Sequence, residues 1–146
     1  MTDARPPAPD VPDPDRCVIV LDATLPPGRA ANAAAVVALT VGQRWPGLVG
    51  APLVDADGAS HPGLIPIGIA VLQAEAGMMP ALRAGALEAG CDVVDFPAQG
   101  QQTTSYAAFR DSVATLPADE LRYVAMALVG RRKAISRLVG RLALHA

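Results

Sequence analysis

Aromatic side chains make up only 3% of this 146-residue chain. A core of stacked rings is therefore excluded, and close packing falls to Ala, Val, Leu and Ile. Cysteine is scarce as well. Cys17 and Cys91 each open an apolar run, where the thiol acts as a small hydrophobe. That usage excludes a disulfide scaffold and matches no zinc spacing, so a reduced cytoplasmic protein with no metal is expected. No apolar run reaches the roughly 18 residues that span a bilayer, because Arg, Gln, Asp or Pro interrupts each one. The first residues lack the basic and hydrophobic pattern of a secretory signal, and no membrane partner is expected. A net charge of −2 excludes a surface generally built to coat nucleic acid.

What is present is patterned. Residues 1–16 hold five prolines and little apolar surface beyond Val11, which reads as an extended leader ahead of one α/β domain at residues 17–146. Cys17–Asp22 is continuously apolar up to its last residue, the pattern of a central strand covered on both faces. Pro26-Pro27-Gly28-Arg29 then starts a helix of Ala and Val that runs to about Gln43, with Asn32, Ala35, Val36 and Leu39 on one face. A short strand is expected over Leu48–Val54, a turn at Asp55–Gly58, and an apolar run at Leu64–Leu72 whose Pro66 and Gly68 place its start at an edge or bulge. Met78–Ala89 reads as a helix stopped by Gly90, and Cys91–Phe96 as a third main strand. Residues 97–105 form an uncharged amide and hydroxyl loop, Tyr106–Ser112 a helical turn, and Leu121–Val129 another strand. A final helix follows, with Ile135, Leu138, Val139 and Leu142 as its buried stripe. The order β-α-β-β-α-β-β-α implies a compact three-layer sandwich, a mixed sheet of about four main strands between helices.

Ligands of open α/β sheets sit at the carboxyl ends of strands, beside helix starts. That rule selects Asp22, Gly28, Arg29 and Asn32 at the first crossover. The later loop adds Gln99, Gly100, Gln101, Gln102, Thr103, Thr104 and Ser105, suited to a neutral polar ligand or a sugar-phosphate. Asp95, at the end of the third strand, is a second candidate carboxylate. Arg131, Arg132 and Lys133 open the last helix with no acid from residue 131 to 146. Three cations there oppose the helix dipole, which favours a bound anion. His61 reads as a surface turn residue, and His145 as a terminal one.

With this order, the chain resembles the peptidyl-tRNA hydrolase type II fold over about residues 17–144. Leu25-Pro26-Pro27-Gly28-Arg29-Ala30-Ala31 looks like that family's strand-to-helix opening, and the Gly100 loop lies where the family carries its second catalytic segment. A closer likeness is to an uncharacterised bacterial domain-of-unknown-function family, numbered two thousand, of the same fold. It rests on the Leu25 to Asn32 spacing, the Asp-containing hairpin before Pro62–Leu72, and the ending Val124–Leu128, Arg131-Arg132-Lys133 and Leu144-His145-Ala146. The hydrolase's lysine falls on Ala31 and its acid at about Ala98, so the resemblance implies the fold without the standard reaction.

Two functions follow as expectations. One is a diverged enzyme of hydrolase or acyl-transfer type, acting without cofactor on a small-molecule or RNA-linked acyl, aminoacyl or amide substrate, with Asn32, Asp22 and Thr103 as catalytic candidates. The other is a non-catalytic ligand-binding or structural module, a homodimer in one version, that kept the fold and lost the chemistry. Loss of activity in Asn32→Ala at unchanged stability would mark the first. Loss of stability through an unsatisfied buried partner would mark the second.

Overall fold

The computed structural model describes residues 13–146. In chain order its elements are β1 (Arg16–Asp22), α1 (Pro27–Arg44), β2 (Leu53–Val54), β3 (Ser60–His61), β4 (Ala70–Ala74), α2 (Met79–Glu88) and β5 (Asp92–Pro97). The second half adds α3 (Gln99–Gln102), α4 (Tyr106–Val113), β6 (Tyr123–Gly130), α5 (Arg132–Val139) and β7 (Ala143–Leu144). Five strands form the main sheet in the order β5-β6-β1-β4-β7. β1 runs parallel to β4 and antiparallel to β6, and both outer pairings are antiparallel.

β1 is central because its side chains are apolar on both faces. Cys17, Ile19 and Leu21 pack under α1 with Val37 and Val41. Val18 and Val20 point the other way, into a core shared with Met79 and Ala86 of α2 and Ile135 and Val139 of α5. The alternation of a strand delivers these two sets to opposite layers. The two thiols fall into different layers and both are free. Burial pushes the Cys17 thiol up to about 11 against the opposing pull of Arg16. A thiol that stays protonated is an inert packing group.

The face of α1 that meets the sheet is Ala30, Ala33, Val37 and Val41. Asn32, Ala35, Val36 and Leu39 are on the exposed side, with Leu39 79% exposed. Small Ala30 and Ala33 let the helix axis approach β1, and the branched valines fill the space nearer its end. Either stripe of an Ala/Val helix is apolar, so composition alone did not choose between them.

Other differences have equally local causes. Only Leu53–Val54 of the expected second strand is extended. It pairs with Ser60–His61 in a separate hairpin outside the main sheet. Gly58 takes a positive φ of 81° at its tip, and the Asp55 carboxylate accepts from the N–H groups of Asp57 and Ala59. The strand expected at Leu64–Leu72 is displaced to Ala70–Ala74, an interior position between β1 and β7 rather than an edge. Proline cannot donate to a ladder, so pairing starts after Pro66. The expected loop at residues 97–105 contains the α3 turn, and the last helix stops at Val139, before Gly140, so β7 can form. Of the expected leader, residues 1–12 lie outside the described residues. Asp13 and Asp15 are already attached to the domain.

The far end of α1 is tied down by a buried carboxylate. Asp92, at the start of β5, accepts from Arg44 Nε and Nη2 and from the Trp45 indole, each at 2.8 Å. The desolvated charge is thereby fully engaged. Asp92→Ala is expected to cost about 1–3 kcal/mol, because it leaves the indole N–H and the guanidinium without their acceptor. Urea unfolding followed by fluorescence of Trp45, the chain's one tryptophan, measures the loss directly.

Candidate functional site

Asp22 is the last residue of β1 and is 1% exposed. Burying an ionised carboxylate costs several kcal/mol unless its oxygens are engaged. Thr24 engages one of them: its N–H and its hydroxyl donate to Oδ1 at 2.9 and 2.8 Å. The Arg122 guanidinium donates to Oδ2 at 3.3 Å. Burial pushes this carboxyl up, but the Thr24 N–H, its hydroxyl and Arg122 together outweigh burial and hold it below the ordinary carboxylate value. Asp22 is therefore a fixed negative charge and a poor base near neutral pH.

Around that charge lies a cavity of about 240 Å³, lined by Thr24, Pro26, Arg29, Gln101, Gln102 and Arg122 among others. Two elements the sequence selected thus meet at one place: the start of α1 and the amide-rich segment after β5. Their junction is explicit. Gln101 Nε2 donates to the Arg29 carbonyl at 3.0 Å and to Asn32 Oδ1 at 3.3 Å. The first turn of α1 carries no acid and no side-chain cap. Among the described residues no hydrogen bond or ion pair engages the Arg29 guanidinium.

The remaining candidates divide by position. Gly28 stands in the same turn as Arg29 but off the cavity wall, with open space where a Cβ would go. Asn32 is exposed and reaches the cleft only through Gln101, so no buried group depends on it. Thr103 is off the wall as well, and its hydroxyl donates to the Gln99 carbonyl at 2.8 Å, which closes α3. No base stands in that contact. Gln99 keeps a buried side-chain oxygen without a hydrogen-bond partner among the described residues. Thr104 is exposed, and Ser105 caps α4 by accepting from the Ala108 N–H at 3.1 Å. Gly100 has a packing role: a Cβ there would collide with the rings of Phe96 and Phe109.

Arg131 and Arg132 belong to the opposite end of the sheet. Arg16 pairs with Gly130 at one end of the β1–β6 ladder, whereas Asp22 lies beyond Leu21 and Ala125 at the other. The anion their helix start calls for comes from this chain. Asp15 accepts from the Arg132 N–H at 2.7 Å and faces the Arg131 guanidinium at 3.5 Å. Asp95 is paired with Arg83 at 2.9 Å and lines a different groove beside Tyr106 and Phe109. His61 faces Asp55 at 2.8 Å in the β2–β3 hairpin. Among the described residues no cluster of three His, Cys, Asp or Glu side chains is placed to hold a metal, and no helix is long and apolar enough to cross a membrane.

Arg122 and Thr24 are the site residues that sequence reasoning missed. Thr24 had a legible signal, since Asp-x-Thr at a strand end is a common side-chain turn. Arg122 had none, because its contact with Asp22 spans 100 positions.

The model of a family described as "Protein of unknown function (DUF2000)" matches residues 15–146. A solved protein of unknown function from Agrobacterium tumefaciens strain C58 superposes with a TM-score of 0.82 at 21% identity, over 90% of this chain and 97% of that one. At that identity the likeness concerns the fold. No curated protein matches the chain.

Asp22 links the site to acid stability. Its folded value lies below its unfolded one, so the stabilisation is complete above the ordinary carboxylate value and is lost as pH falls through the folded value. Asp22→Asn is expected to lower stability at neutral pH by about 1–3 kcal/mol. It should also flatten the decline below roughly pH 4, as read from urea midpoints across the acid range. Gly100→Ala, by overpacking against Phe96 and Phe109, is expected to cost about 1–3 kcal/mol in the same assay.

Proposed function

We propose that this chain, which belongs to the DUF2000 family of unknown function, is a ligand-binding domain of peptidyl-tRNA hydrolase type II-like fold. Its cleft at the end of β1 takes a small acyl, aminoacyl or amide compound and holds it without hydrolysing it. The observation that carries this reading is the state of Asp22. It is buried and engaged by Thr24 and Arg122, and the wall around it (Arg29, Gln101, Gln102 and Arg122 among its polar members) holds no His, Cys or Lys and no second carboxylate. Such a wall orients and neutralises a ligand. It offers little to activate water. The alternative is acyl transfer on the same class of compound. What favours it is the Asn32–Gln101–Arg29 chain at the cleft mouth, which would place a carboxamide against a developing charge.

An acid-gel assay of aminoacyl-tRNA and N-blocked aminoacyl-tRNA separates the two. No release of the acyl group is expected at stoichiometric protein. Turnover that disappears in Asn32→Ala would establish the catalytic alternative instead. That variant is expected to keep its stability to within about 0.5 kcal/mol, since Asn32 is exposed. Binding itself is read from thermal shifts with N-acetyl amino acids, amino acid esters and carboxamides, and the shift should vanish in Arg29→Gln.

A further inference from the structure

We infer that the ligand of this cleft is a small α-amino carboxylate, its ammonium on Asp22 and its carboxylate on Arg29 and Arg122. This rests on the reading of the cleft as a ligand-binding site and goes beyond it, in naming a free amino acid rather than an acyl or amide derivative. The argument is a count of donors and acceptors. A carboxylate offers about four acceptor positions. Thr24 fills two on Oδ1 and Arg122 one on Oδ2, which leaves one position on Oδ2 without a partner among the described residues, on a side chain that lines the cavity and is 1% exposed. An added cationic donor there meets a buried charge and makes a charge-assisted bond.

The donor side is far from filled. Each guanidinium carries five N–H donors in a fork shaped for carboxylate. Arg122 places one of its nitrogens on Asp22 while its side chain stays 65% exposed. The Arg29 guanidinium is unengaged among the described residues. The cavity therefore presents one open acceptor of negative charge beside several open donors of positive charge.

Adjacency decides which molecule fits. Asp22 Oδ2 and Arg122 Nη2 are 3.3 Å apart, so the acceptor and the donors are neighbours. An amine and a carboxylate on one carbon have that close spacing. A phosphate would set its charge against Asp22, and a simple amine would face two guanidiniums. A molecule with both charges satisfies both walls. The cavity volume, about 240 Å³, lies below the 300–1,000 Å³ usual for drug-sized ligands and suits a metabolite of amino-acid size. Gln101 and Gln102 remain to meet its side chain.

The test is isothermal titration of the full chain with the standard L-amino acids, each alone at millimolar concentration. The tightest binder is then compared with its decarboxylated amine and its deaminated acid. Binding of at least one amino acid is expected, with each analogue weaker by about tenfold or more. Asp22→Asn should erase the preference for the amino acid over the deaminated acid, and Arg29→Gln should weaken both. Far-UV circular dichroism and urea midpoints confirm that the variants are folded, and Arg29, an exposed residue, provides the variant least able to disturb folding. Binding of the deaminated acid as tight as that of the amino acid overturns the inference. So does stronger binding of inorganic phosphate, or no binding by any amino acid. Thermal shifts with N-acetyl amino acids or carboxamides in the absence of amino-acid binding would leave the ligand-binding reading standing and remove this one alone.

Discussion

β1 is buried on both faces, and its burial continues one residue past the last apolar side chain, to Asp22. Most of the architecture answers that fact. A strand with no solvated face needs a layer on each side, so α1 covers Cys17, Ile19 and Leu21 while α2 and α5 cover Val18 and Val20. Its backbone needs a partner on each edge, and β4 and β6 supply them. Its final carboxylate cannot be left unpaired in that setting. Thr24 folds back onto it from the following turn, and Arg122 reaches it from the segment leading into β6. The cleft exists where it does because the chain stops being apolar one residue before it stops being buried.

A second buried carboxylate fixes the other end of the same layer. Asp92 gathers Arg44 and Trp45 and so holds the last turn of α1 against β5. Between these anchors, Ala30 and Ala33 set how closely α1 lies on the sheet. The amide-rich segment depends on the same layer. Gly100 lets α3 seat against Phe96 and Phe109, and that seat brings the Gln101 side chain to the Arg29 carbonyl and to Asn32. A packing glycine on one side of the cleft thus positions a polar contact on the other.

The parts of this arrangement that were legible in the sequence are those set by neighbours along the chain. The apolar run to Asp22, the double proline before α1, the Gly58 turn and the Gly90 stop all act within a few residues. The strand-end rule selected Asp22 and Arg29 together, whereas Gln101 and Gln102 were selected for their polar side chains. What the sequence hid is relational. Asn32 shares a helix with both an exposed and a buried apolar stripe, and only the choice of stripe decides that its carboxamide points outward. The polar loop was read as ligand-facing because it is polar. Thr103 and Ser105 instead satisfy backbone groups of α3 and α4, the ordinary work of short hydroxyl side chains. Arg122 was invisible because register between β1 and β6 is set by the whole sheet.

Charge shows the same contrast most sharply. The start of α5 has three cations in a row and looks unbalanced along the sequence. In the fold, Asp15 supplies its carboxylate to the Arg132 N–H and to Arg131, so the imbalance is met in part inside the chain. Arg44 and Arg83 are settled in the same way, by Asp92 and Asp95. Arg137 and Arg141 lie exposed on the helix and its end, where water serves them. Arg29 and Arg122 differ from all of these because they converge on a cavity, with a single carboxylate between them that Thr24 already shares. Two cations and one anion around this cavity leave a surplus of positive donors that no protein group meets among the described residues. That surplus distinguishes this end of the sheet from the other.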